Sequence, residues 1–76
     1  MTTLEQLKPG EFARIVSINT GQSLKHKLSS KGVIEGCLLR VISSHYHIVI
    51  DTNKKIFAIG HEIAEKIRVI RIKIII

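Results

Sequence analysis

What most constrains this chain is a series of short β-branched runs, broken at close intervals by turn residues. Phe12 to Asn19, Cys37 to Ser44, Tyr46 to Thr52, Lys55 to Ile59 and the segment from Ile67 all have the length and composition of half-buried strands. Ser43-Ser44-His45 and Asp51-Thr52-Asn53-Lys54 supply the bends between the middle three, which makes an antiparallel meander, and Gly60 breaks the third. In the first run Phe12, Val16 and Ile18 share one parity while Ala13 and Ile15 share the other, so alternation alone does not fix its inward face. The last run alternates from Ile70 to Ile74 with Arg71 and Lys73 opposite. The adjacent pair Val69 and Ile70 interrupts it, and a bulge or a change of burial is expected there.

One segment has helical spacing. Leu24 and Leu28 stand four apart between Thr20-Gly21-Gln22-Ser23 and Gly32, which predicts a short amphipathic helix over residues 23 to 31, with Ser23 as N-cap and Gly32 as its stop. Leu4 and Leu7 before Lys8-Pro9-Gly10-Glu11 predict a hook closed by a turn, and Glu62 to Lys66 can form one helical turn. A flat sheet of five such strands would leave an apolar face bare and two long edges open, so the sheet is expected to curl on itself. The expected fold is mainly β: a small SH3-like β-barrel of about five strands with one short amphipathic helix, an OB-like barrel being the second choice. Residues 1–76 are read as a single domain with an Ile-rich C-terminal strand extension at 70–76.

A chain of 76 residues holds one core and leaves few apolar positions for an enclosed active site. Five dispersed glycines form no phosphate-binding loop, and no catalytic constellation stands out, so the chain is read as a binding protein and not an enzyme. The single cysteine, Cys37, among Leu38, Leu39 and Val41, is expected in the core, and a reducing, cytoplasmic setting fits it. The N-terminus lacks signal-peptide character, and no apolar run approaches the roughly 20 residues that span a bilayer. Twelve Lys and Arg against six Asp and Glu give a formal charge of +6, which favours an acidic partner. Lys25, Lys27 and Lys31 could assemble a basic patch on the helix. Nucleic acid is disfavoured as that partner, because Phe12, Tyr46 and Phe57 are the only aromatic residues of the stacking type. His45 and His47, at i and i+2 of a strand, would point to one side and form two ligands of a labile Fe(II) or Zn(II) site. Completing it would take His61, His26, Glu62 or a second copy of the chain.

Three stretches, in this order, resemble the FeoA family of small SH3-like proteins. Leu4-Glu5-Gln6-Leu7-Lys8-Pro9-Gly10-Glu11 with Ala13, Ile15 and Ile18 is similar to the family's opening hook and first strand. Leu24 to Leu28, then Gly32-Val33 and Gly36, is similar to its helix and glycine turn, and Ala58-Ile59 with Glu62, Ala64, Ile67 and Val69 to its closing elements. Glu35 departs from a common proline, Lys31 from an apolar residue, and Asn53-Lys54-Lys55 from a frequent glycine. The resemblance implies a cytoplasmic accessory of the FeoB ferrous iron transporter, peripheral to the inner membrane through contact with that partner's GTP-binding domain. The fold that the resemblance implies also occurs as the C-terminal domain of DtxR-type metalloregulators, where the module serves protein contacts. The contact elements expected here are Lys25, Lys27, Leu28, Lys31, Gly32 and Gly36, and the terminal strand is a candidate for homodimer pairing.

Overall fold

The computed structural model describes residues 2–73. Among them six strands form one antiparallel sheet: β1 (Thr2–Thr3), β2 (Phe12–Ile18), β3 (Leu38–Ser43), β4 (Ile48–Asp51), β5 (Ile56–Ile59) and β6 (Ile67–Ile72), in the order β1-β6-β2-β3-β4-β5. Two α-helices, α1 (Gln22–Ser30) and α2 (His61–Ala64), join strands, and a 3-10 turn at Leu4–Gln6 forms the hook. The chain is thus mainly β with a three-strand meander, as expected. The strand beyond the expected five is β1, whose two threonines carry no apolar pattern and pair with β6 as Thr2↔Val69 and Thr3↔Arg68. The expected strand extension is described as far as Ile72 in β6, and residues 74–76 lie outside the described residues.

The inner face of the sheet encloses a core of aliphatic side chains. Leu4, Ile15, Val33, Val41, Ile48, Ile50, Ile67 and Val69 are its largest fully buried members. Burying one Leu, Ile or Val completely contributes about 1.5–3 kcal/mol, so this cluster is the main term that offsets chain entropy. Leu28 joins it from α1, with Leu24 packed at its margin.

The undetermined face of β2 is settled by a bulge. Ile15 opposes Val69 while Ser17 opposes Arg68, which leaves Val16 as an extra residue. The parity therefore switches once within the strand, and Ala13, Ile15 and Ile18 all face inward. The irregularity lies beside Val69, on the opposite strand from the Val69-Ile70 pair. In β6 the burial changes instead, from buried Val69 to Ile70 at 55% exposure. A second shift, between Val41 and Ser43, bends β3 where it leaves the core.

The hook is tied to β6 by Arg71. Its Nε donates to Glu11 Oε2 at 3.0 Å and its Nη2 to the Gln6 carbonyl at 3.1 Å, while Glu11 Oε1 accepts the Lys8 amide at 2.7 Å.

Helix α1 begins one residue before the expected start. Gly21, not Ser23, is its N-cap, and the first helical bond runs from the Lys25 amide to the Gly21 carbonyl at 3.0 Å. Its end follows expectation. Gly32 has φ of +93°, its amide donates to the Ser29 carbonyl at 3.1 Å, and the Val33 amide donates to the Leu28 carbonyl at 3.0 Å. That pair of bonds is a Schellman motif, with buried Leu28 and Val33 supplying the accompanying hydrophobic contact.

Candidate protein-binding surface

Gln22, Lys25, His26 and Ser29 recur at i, i+3, i+4 and i+7 and so share one face of α1. Together with the loop after Gly32 that face bounds an open groove of about 230 Å³. Ile18 and Val33 lie at its apolar base, and Ile34 and Glu35 form the other wall. Ile34 is 40% exposed, a large aliphatic side chain presented to solvent at the rim. Lys25 and Glu35 bring opposite charges to the groove without an ion pair between them among the described residues.

The three lysines expected to form a patch do not share a face. At about 100° per residue, Lys25 and Lys27 are about 200° apart around the helix, so a partner seated on one does not reach the other. Lys25 belongs to the groove, whereas Lys31 sits with its Nζ 5.0 Å from the centroid of the Phe57 ring. This cation–π contact accommodates a lysine where the resemblance leads one to expect an apolar residue. Leu28 and Gly32 are buried and shape the surface from beneath. Gly36 is exposed, with φ of +90°; its amide donates to the Ile15 carbonyl at 2.7 Å and its carbonyl accepts Arg14 Nη1 at 3.1 Å. Gly36 thus anchors the loop to β2. Gln22, Ser29, Ile18, Ile34 and Glu35 are not among the contact residues expected from the sequence, and His26 is considered there only as a metal ligand; the i, i+3, i+4, i+7 spacing is the available signal for the three on the helix.

His45 and His47 lie in the bend before β4, which starts only at Ile48, so the strand geometry that would aim both to one side is not present. The His45 ring stands edge-on to Tyr46 with centroids 4.8 Å apart. His47 borders a different shallow cavity, of about 360 Å³, with Tyr46, His61 and Glu62. Among the described residues no group of three His, Cys, Asp or Glu is placed to hold one metal ion. Cys37 is half-buried just ahead of β3, not in the core; its carbonyl accepts the Ile15 amide at 2.9 Å where the loop joins the sheet. Among the described residues no helix is long and apolar enough to cross a membrane.

Comparison with known proteins gives a consistent picture. The family model described as the FeoA domain matches residues 2–71. A crystal structure of the iron uptake regulatory protein FeoA superposes with a TM-score of 0.85 at 30% identity, covering 93% of this chain and 97% of that one. The FeoA protein from Chlorobium tepidum, solved by NMR, gives 0.78 at 23% identity over 90% of this chain and 68% of its own. A manganese-dependent transcriptional repressor gives 0.83 at 18% identity; 92% of this chain matches 40% of it, a likeness of fold alone. No match is found among curated protein sequences. The SH3-like fold expected from the sequence is the fold of these FeoA neighbours.

Proposed function

This chain belongs to the FeoA family, a family of small accessory proteins of ferrous iron transport, and on that footing we propose that it acts as a protein-binding module on the GTP-binding portion of a FeoB-type transporter. The observation that carries this reading is the groove between α1 and the Gly32 to Gly36 loop, with its apolar base, its exposed Ile34 and Lys25, which makes no ion pair among the described residues. An apolar centre with charged groups at the rim is the anatomy of a docking surface, and the rim charges steer the encounter. The chain works in the cytoplasm and reaches the inner membrane only through its partner.

The test is calorimetric titration with the soluble GTP-binding domain of the transporter encoded in the same genome. Lys25→Glu is expected to weaken binding about tenfold, equivalent to about 1.4 kcal/mol, whereas Lys27→Glu, on the other side of the helix, leaves it nearly unchanged. Equal affinity of the Lys25 variant removes the groove from the interface. No binding by the unaltered protein overturns the choice of partner.

A further inference from the structure

Strand β5 is an open edge of the sheet. It pairs with β4 through Ile48↔Ile59, Val49↔Ala58, Ile50↔Phe57 and Asp51↔Ile56, and among the described residues no strand lies on its other side. The hairpin closes with the Thr52 amide donating to the Lys55 carbonyl at 3.0 Å. Counting from that hydrogen-bonded pair, Ile56 and Ala58 are in non-hydrogen-bonded positions towards β4, so their N–H and C=O groups point to the open side. Ile56 is 60% exposed and Ala58 is exposed as well. At the opposite edge β1 is described over two residues, and Arg71 Nη1 reaches from β6 to Thr2 Oγ1 at 3.4 Å.

Natural sheets guard open edges with proline or inward charge among other devices, and β5 contains neither within Ile56–Ile59. The charges at this edge are positive and lie beside the strand. Lys54 and Lys55 are exposed in the turn before it, and Lys31 stands over Phe57. Asp51, at the paired end, is already engaged by Arg40 Nη2 at 3.7 Å. Glu62, the next acid along the chain after the strand, belongs to α2.

We propose that the β5 edge is a second docking site, which adds an extended, acidic peptide segment of a partner protein as a seventh strand. Backbone bonds to Ile56 and Ala58 supply register, the Ile56 side chain supplies an apolar contact, and Lys54 and Lys55 select glutamate or aspartate on the incoming strand. A second copy of the chain is the poorer occupant. Each copy carries +6, and a four-residue edge buries far less than the roughly 1,200 Å² of a stable dimer. The site is separate from the α1 groove and does not depend on what binds there.

The test uses amide NMR spectra and hydrogen exchange of the full chain, titrated with a blocked octapeptide of alternating glutamate and valine, and with its lysine–valine counterpart. Saturable shifts centred on Ile56–Ile59, with exchange at the Ile56 and Ala58 amides slowed at least tenfold by the acidic peptide alone, are expected. Ala58→Pro removes an outward N–H without touching the β4 ladder and is expected to abolish the effect. Should that variant not fold, the exposed double reversal Lys54→Glu with Lys55→Glu decides, with an expected loss of at least fivefold in affinity. Absence of shifts, shifts centred on α1, or equal binding of the lysine peptide overturns the proposal. So does concentration-dependent broadening of Ile56–Ile59 without peptide, which would assign the edge to a second copy.

Discussion

Gly32 and Thr52 are fitted against each other so closely that a Cβ on Gly32 would meet Thr52 Oγ1 at 2.6 Å and Thr52 Cβ at 3.0 Å. The turn that ends α1 is thereby pressed onto the turn that ends β4. Thr52 Oγ1 donates to the Lys31 carbonyl at 2.7 Å and lies 3.3 Å from the Lys54 and Lys55 amides, which donate to it. One hydroxyl thus holds the loop bounding the groove to the hairpin carrying the open edge.

Gly32→Ala is expected to destabilise the protein by about 2–5 kcal/mol, measured by urea denaturation. A side chain there both strains the backbone at positive φ, which costs roughly 1–2 kcal/mol, and overpacks against Thr52, which costs roughly 1–3. Gly36→Ala separates the two effects. Gly36 has φ of +90° but open space around its Cβ position, so only the conformational part, about 1–2 kcal/mol, should be lost.

Thr52→Val keeps the shape and removes the hydroxyl, leaving the Lys31 carbonyl and two hairpin amides short of a partner at a residue 7% exposed. The expected cost is about 1–3 kcal/mol. Thr52→Ser, which retains the oxygen, should recover most of it in the same denaturation assay.

Leu28→Ala tests how α1 is held. Leu28 is the one buried residue of that helix, and its carbonyl also accepts the Val33 amide in the terminal turn. A loss of about 2–5 kcal/mol is expected, with amide exchange speeding up over Gln22 to Ser30 before the sheet responds.

Two carboxylates give stability opposite pH dependences. Glu11 is held below its ordinary value of 4.5, first by the Lys8 amide bonded to it and then by the charge and hydrogen bond of Arg71. A depressed folded value means that the unfolded chain takes up the proton first. Its contribution is therefore present above pH 4.5 and lost as pH falls through the folded value. Glu65 is pushed up, chiefly by its hydrogen bond with Glu5 and then by that residue's charge. Its contribution is fullest in acid and lost as pH rises through the folded value. Glu11→Gln should therefore flatten the acid limb of a stability-against-pH curve, and Glu5→Gln should raise the neutral limb. Unchanged curves would contradict both assignments.

The elements that bound the groove are legible in the sequence, but most of the residues that line it are not. The Leu24, Leu28 and Gly32 spacing places α1 and its stop, and helical periodicity separates Lys25 from Lys27, so the three lysines cannot act as one patch. The pair His45 and His47 reads as strand in the sequence but lies where the chain bends before Ile48, a distinction of one or two residues that β-propensity does not resolve. Lys31 looked like an exposed charge, and only its position over Phe57 shows what it covers.

The sequence by itself determined the class of fold. Its β-branched runs, turn residues and single helical stripe are local signals, written within about ten residues of each other, and they specify a meander, a helix and the places where each stops. Tertiary structure decided which faces and edges remain for partners. The Val16 bulge turned Ile18 inward by fitting β2 to β6, Arg71 closed the hook from 60 residues away through Glu11, and Thr52 reached across 21 residues to Lys31. These relationships depend on strand order and register, so they exist only once the sheet has formed.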